Sequence, residues 1–264
     1  VSGPETAEAA EAGTADADAL TLVVADFAAQ LTKTVQAAFG PSIPPFIAKA
    51  AQDDLRARVA VSQQPSTGIR LKVNGVERMV LLVEFWLCWD HAQRYAAVDD
   101  ARFKVIALGS GEPLFRYEYM RAPESGQPCA HLHVHAHRDA VTYLMAVAGD
   151  GSPRGKRRRQ SINRKETLPA MRELHFPLGG HRFRPCLEDV LYMLLDEFGV
   201  DAQSGACEAL ALGRQQWRTH QLAASVRDSP QVAARVLQEL GYAVAWPEEP
   251  EAQPADRVDR LQAY

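Results

Sequence analysis

Four of the eight histidines in this 264-residue chain occupy alternate positions of one short segment, Cys129-Ala130-His131-Leu132-His133-Val134-His135-Ala136-His137. Side chains of an extended strand alternate between faces, so the four imidazoles and the Cys129 sulfur project from one side, and Ala130, Leu132, Val134 and Ala136 from the other. Neighbours two apart on a strand are about 7 Å from one another. That spacing suits imidazoles that share a metal, or that divide acid, base and nucleophile roles around a phosphate. A third reading is a plain polar strand face. Cys129 and Cys88 read as small buried fillers.

Carboxylates and an arginine come to the same face by the same rule. In Met79 to Trp89 the alternate residues Met79, Leu81, Val83, Phe85, Leu87 and Trp89 are uniformly apolar and must face a core, leaving Glu84 on the reverse. In Pro113 to Met120, Phe115, Tyr117 and Tyr119 share one side, and Arg116 and Glu118 the other. One sheet containing all three strands gathers Glu84, Arg116, Glu118, His131, His133, His135 and His137 on its second face. A carboxylate fixes an imidazole tautomer and raises its basicity, and an arginine fork holds a phosphate or carboxylate. Two chemistries stay open. In the first, no cofactor is needed: His133 and His135 serve as nucleophile or general acid and base in phosphoryl transfer, Arg116 steadies phosphate charge, and Glu84 or Glu118 orients a ring. In the second, His131, His133 and His135 bind a divalent transition metal such as zinc, with His137 or Glu84 completing the shell.

The segment Gly126-Gln127-Pro128-Cys129-Ala130-His131-Leu132-His133-Val134-His135 resembles the signature of the histidine-triad nucleotide hydrolases and transferases, Gly-Gln followed after three residues by His-x-His-x-His. The resemblance implies that the middle histidine, here His133, attacks an α-phosphate with His131 and His135 in support. Ala136-His137-Arg138 stands where that family has bulky apolar residues, and the match covers about ten residues. The order strand, tight turn, Leu114-Phe115-Arg116-Tyr117-Glu118-Tyr119, loop and histidine-rich segment is similar to small bacterial toxins of the TumE type. That similarity implies growth inhibition, RNA as target and an antitoxin-like protein partner.

A second chemistry-bearing stretch follows. Residues 153–165 carry Arg154, Lys156, Arg157, Arg158, Arg159, Arg164 and Lys165, seven bases in thirteen positions. Such a density attracts polyphosphate through counterion release. It lacks interleaved aromatics, so contacts would go to the nucleic-acid backbone rather than to stacked bases. Arg182 and Arg184, in Gly179-Gly180-His181-Arg182-Phe183-Arg184 before a helix start, add a second candidate anion contact. A third functional class follows, a non-enzymatic nucleic-acid or protein-binding module working through this segment alone. Walker, dinucleotide and nucleophile-elbow motifs are absent.

The elements that must position these groups read as α+β. Leu20, Val23, Val24, Phe27, Leu31 and Val35 predict a helix over about 18–39, ended by Gly40-Pro41. Phe46 to Arg58 reads as a shorter, weaker helix. After Pro65 the period becomes two: Ile69, Leu71 and Val73 lead into Asn74-Gly75, a hairpin signal, and Val76 to Trp89 returns as a long strand. Phe103–Leu108, Pro113–Met120 and Cys129–His137 complete an antiparallel sheet of about five strands, with a short helix at 140–148. Helices at 187–198, 207–226 and about 229–240 form a C-terminal helical part. The expected organisation is an acidic mobile tail over 1–18, an α+β domain over 19–148, a basic linker over 149–167, the helical part over 168–246 and a loose acidic tail over 247–264.

Composition limits the classes. Hydrophobic residues at 47% and charged residues at 23%, with a formal net charge of -4, exclude a disordered chain, a collagen and a coiled-coil rod. No run reaches the ~18 apolar residues of a membrane span. A cytoplasmic address follows from an N-terminus without a basic-then-apolar leader. The cysteines at 88, 129, 186 and 207 have no paired spacing and read as free thiols.

Overall fold

The computed structural model describes residues 4–51, 57–124, 127–135, 153–165, 168, 170–173, 175–179, 181–245 and 255–263. The fold is α+β. Helix α1 (Pro4–Phe39) precedes seven strands, β1 (Phe46–Ala51), β2 (Arg58–Gln63), β3 (Ile69–Val73), β4 (Val76–Trp89), β5 (Ala96–Ala107), β6 (Pro113–Met120) and β7 (Ala130–Val134). Helix α2 (Pro153–Lys165), a 3-10 turn (Met171–Glu173) and the two-residue strand β8 (Phe176–Pro177) follow. Helices α3 (Leu187–Phe198), α4 (Ala206–Asp228), α5 (Pro230–Glu239) and α6 (Val258–Leu261) close the chain.

All strands join one antiparallel sheet in the order β1-β2-β4-β5-β6-β7-β8, with β3 also on β4. Strand β4 is long because one edge serves two partners: β3 pairs along Val76–Leu81, and β2 along Glu84–Leu87. Among the described residues the sheet has eight strands where about five were expected. The largest correction is at Phe46 to Arg58, read as a helix. This segment supplies β1 and the start of β2, paired from Phe46↔Gln63 to Ala51↔Arg58. Its few apolar residues carry no decisive period of their own, and pairing decides their conformation: β2 lies on β4, and β1 on the free edge of β2.

The core lies between one sheet face and the helices. Leu20, Val24, Leu31 and Val35 of α1 are buried against Val59, Val61, Leu81, Phe85 and Phe103, as the heptad-like stripe requires, whereas Val23 falls off it and is exposed. Leu187, Val190, Leu191 and Leu194 of α3 join the same core, and Gly199 ends that helix in the left-handed conformation at φ 60°. At the β3–β4 turn Asn74 and Gly75 both have positive φ, the type I′ geometry for which this dipeptide is suited. The Asp201 carboxylate accepts both of their backbone N–H groups, at 3.0 and 2.6 Å.

Three boundaries also differ from expectation. Helix α1 begins at Pro4, so it runs through the acidic segment read as a tail. The basic stretch read as a linker is helix α2. The C-terminal segment is tied in at its end, since the Arg257 N–H donates to the Asp228 carbonyl at 2.7 Å ahead of α6. The helix read at 140–148 lies outside the described residues.

Candidate histidine–carboxylate site

Backbone register builds the site on the sheet face opposite the core. Strands β6 and β7 pair Glu118 with His131 and Arg116 with His133. Strand β8 pairs Pro177 with His131 and Phe176 with Leu132, so the same ladder, extended by one residue, brings His175 across from His133. His131 and His133 are 0% and 2% exposed, with His175, β8 and the Arg172 carbonyl lying against them. The rings of His131, His133 and His175 lie close together, with centroids 4.2 to 4.9 Å apart.

Main-chain carbonyls set the tautomers. His131 Nδ1 donates to the Pro128 carbonyl at 2.9 Å, His133 Nδ1 to the Arg172 carbonyl, and His175 Nδ1 to the Glu173 carbonyl at 3.0 Å. A carbonyl only accepts, so each Nδ1 carries the hydrogen and a neutral ring leaves Nε2 as a lone pair. His175 Nε2 accepts from the Gln127 amide at 3.0 Å. His131 Nε2 and His133 Nε2 face one atom, Glu118 Oε2, at 3.2 and 3.0 Å. The His131 contact has hydrogen-bond geometry, whereas His133 Nε2 is buried and angled so that it makes none. Two nitrogen lone pairs aimed at a carboxylate repel it, so positive charge must sit among the three atoms, as protons or as a cation.

The donor set fits a metal. One ring nitrogen from each of His131, His133 and His175 falls within 4.8 Å of the others. Ligand atoms bound at about 2.1 Å around a tetrahedral ion lie about 3.4 Å apart, close to the Glu118 separations. An Nδ1–H held by a carbonyl is also the usual outer partner of a metal-bound imidazole. Burial pushes the Glu118 carboxyl up, but its contacts with His131 and His133 and the charge of Arg116 outweigh that and hold it well below the usual carboxylate range. Glu118 is therefore an anion at any ordinary pH.

Beside this cluster, Arg116 Nε stands 3.4 Å from Glu118 Oε1. His135 projects to the same face, with both ring nitrogens buried and without a hydrogen bond. Burial, then the charge of Arg116, lowers the tendency of His135 to protonate. Unsatisfied buried polar groups in a row call for a ligand or ordered water.

The structure thus brings together Arg116, Glu118, His131 and His133, with His135 alongside, and separates two other expected members. Glu84 does share the face, in the row Glu84↔Arg102↔Glu118↔His131. It sits three strands from His131, about 14 Å at the usual strand spacing, and is no part of the site. His137 lies outside the described residues. His175 was missed, and no local motif announces it, since it precedes the apolar pair Phe176-Pro177 in a stretch without periodicity.

Arg182 and Arg184, read as anion contacts, are turned inward. Arg182 pairs with Asp228 at 2.6 Å, and Arg184 is 8% exposed with its guanidinium 3.6 Å over the Tyr119 ring. The remaining bases of the expected nucleic-acid contact, Arg154, Lys156, Arg157, Arg158, Arg159, Arg164 and Lys165, are on α2. Lys156, Arg157, Arg159 and Arg164 are exposed. Arg157 pairs with Glu124 at 2.9 Å, three residues from Gln127, which holds His175, so α2 is moored near the histidine cluster.

The four cysteines are free, three of them buried. Among the described residues no helix is long and apolar enough to cross a membrane. In comparisons with known proteins, no family model, curated protein or solved structure matches this chain.

Proposed function

We propose that this protein is a metal-dependent phosphoryl-transfer or nuclease-like enzyme, acting on RNA or a nucleotide, in which His131, His133 and His175 hold one divalent transition metal of the zinc type. The carrying observation is that one ring nitrogen from each of His131, His133 and His175 falls within 4.8 Å of the others, with His131 Nε2 and His133 Nε2 both facing the Glu118 carboxylate. Three histidines with a position left for water is the donor set of a hydrolytic zinc centre, and such an ion brings a bound water to ionise near neutrality. Glu118, an anion within 3.2 Å of two ligands, is the group to take the water proton. Arg116 and His135, each with an unsatisfied buried nitrogen beside the cluster, are the groups to hold phosphate oxygens. The exposed bases of α2 extend that surface for a nucleic-acid backbone. On this reading His133 holds the metal rather than attacking phosphorus. A cytoplasmic address, where free thiols persist, belongs to the same reading.

One observation favours a second reading. Glu118 Oε2 lies as near to two ring nitrogens as a fourth ligand would, and four protein ligands make a closed structural site. Metal content of protein purified without a histidine tag, with phosphodiester cleavage measured on Glu118→Gln, separates the two. The catalytic reading expects near-stoichiometric metal and cleavage that falls by ~100-fold or more in the variant, on the scale of lost general-base catalysis. Metal without cleavage in the wild type leaves the structural site, and wild-type protein unable to bind zinc overturns both.

A further inference from the structure

The row of the sheet that carries His133 also carries two cations side by side. Register sets Leu82, Lys104, Arg116 and His133 opposite one another across β4, β5, β6 and β7, on the face away from the core. Like charges directly opposite on neighbouring strands are destabilising. Only one of the two has an acid near it: Arg116 Nε stands 3.4 Å from Glu118 Oε1, and Lys104 makes no ion pair among the described residues. The acids of this face are drawn elsewhere. Asp100 lies 3.3 Å from Arg58 and 3.7 Å from Arg102, Glu118 Oε2 is shared by His131 and His133, and the exposed Glu84 stands opposite Arg102.

Arg116 adds an independent sign, since its Nε is buried without a hydrogen-bond partner. An unpaired buried guanidinium nitrogen and a like-charge pair beside it both weigh against folding, and one anion between the two side chains answers both. Lys104 and Arg116 are half-buried while Arg102 and Glu84 are exposed, so solvent reaches this row.

The anion that meets Lys104 is not the one at the histidine cluster. Lys104 lies two strand spacings from His133, about 10 Å, with Arg116 between. Adjacent phosphorus atoms of a phosphoanhydride share one bridging oxygen and would both fall at the Arg116 end, whereas those of a nucleic-acid strand are held apart by a sugar and reach Lys104. Trp86, two rows away on β4, has the Arg58 guanidinium 5.0 Å over its ring, so it offers no base platform beside Lys104. Contacts here go to the backbone and read no sequence.

We propose that Lys104, with Arg116, forms a subsite for a second phosphate one nucleotide away from the phosphate at the histidine cluster, so that the substrate is a polynucleotide strand rather than a lone nucleotide. The inference rests on the phosphoryl-transfer reading for which phosphate reacts; the contact with the second phosphate needs no metal.

Steady-state cleavage of UpU, which has one phosphate, is compared with that of pUpU and UpUp, which have two, and with hydrolysis of UDP. In the wild type the better of the two-phosphate dinucleotides should exceed UpU in kcat/KM by about 10-fold or more, the scale of one charge-assisted contact. Lys104→Ala should bring that ratio toward one, and Lys104→Arg should keep most of it. Lys49→Ala, at an exposed lysine of β1 on the same sheet, should leave it unaltered. Binding of a cleavage-resistant 2′-O-methyl phosphorothioate oligouridylate is followed in parallel against salt, and Lys104→Ala should reduce the slope by about 0.7. A ratio near one in the wild type, or an unaltered ratio in Lys104→Ala, overturns the subsite and leaves the phosphoryl-transfer reading standing. Faster hydrolysis of UDP than of either two-phosphate dinucleotide overturns the strand assignment. A wild type that cleaves none of these removes the phosphoryl-transfer reading; the salt slope then decides the subsite alone, and an unaltered slope in Lys104→Ala overturns it.

Discussion

His181 makes stability depend on pH in a way that can be worked from its contacts. Its ring is 6% exposed and lies between the Tyr119 hydroxyl, 3.0 Å from Nδ1, and Arg260 Nη1, 3.2 Å from Nε2. Arginine only donates, and Nη1 is nearer to Nε2 than to Nδ1, which is 3.4 Å away, so the arrangement that satisfies both partners has the lone pair on Nε2 and Nδ1–H donating to Tyr119. Burial, then the charges of Arg260, Arg182 and Arg184, push this imidazole down to about 4, with Asp228 opposing them. The unfolded chain binds a proton at about 6.5. Between these values the unfolded state holds more protons, so the contribution is complete above about pH 6.5 and is lost as pH falls toward 4. The loss amounts to about 2 kcal/mol by pH 5 and about 3 kcal/mol by pH 4, relative to pH 7. Urea denaturation of wild type and His181→Gln at pH 7, 5 and 4 isolates it, because other titrating groups cancel in the difference. The wild type should lose about 2 kcal/mol more than the variant by pH 5. Parallel pH profiles would show that His181 is not held neutral, and the account of its contacts would fail.

On the proposed metal reading, chelation should lower the thermal midpoint and added zinc should raise it; free zinc at a thousandfold excess over its Kd is worth about 4 kcal/mol. An unchanged midpoint counts against the histidine cluster as a metal site. His175→Ala should weaken zinc binding by more than about 10-fold in competition with a chromophoric chelator, while wild-type affinity there would exclude His175 from the site. Replacing Lys156, Arg157, Arg159 and Arg164 with alanine should reduce the salt slope of single-stranded RNA binding by about 3, and an unaltered slope would remove α2 from the interface. Gly213→Ala sets a Cβ 2.8 Å from Glu188 Oε1 and 2.9 Å from Thr34 Cγ2, where α3 and α1 close on α4. It should cost about 1–3 kcal/mol in urea denaturation despite alanine's better helix propensity, and a neutral result would show that this packing can give way.

What could be read along the chain was whatever has a local period or a local stop. The 3.6-residue stripes of α1 and α3, the Asn74-Gly75 turn and the alternation in β4 and β6 each follow from side chains a few positions apart, and they fix which face of each element is apolar. Because side chains on a strand alternate strictly, the reverse faces of β6 and β7 were fixed as well. The pairing of Arg116 and Glu118 with His131 and His133 was therefore contained in the alternation, once those strands were neighbours.

Tertiary structure decided the rest, where the determining partner is distant in sequence. Phe46–Ala51 is a strand because an edge is available to it. His175 enters the cluster because β8 pairs with β7 across more than forty residues of chain. Glu84 shares the correct face yet stays out, since alternation sets the face of a side chain and only strand order sets its distance from a neighbour. Arg182 and Arg184 looked like surface bases, and their burial depends on Asp228, Tyr119 and Trp217, none of which is near them in sequence. A local pattern determines the direction in which a side chain points; what it meets there is determined by how the strands are ordered and what packs upon them.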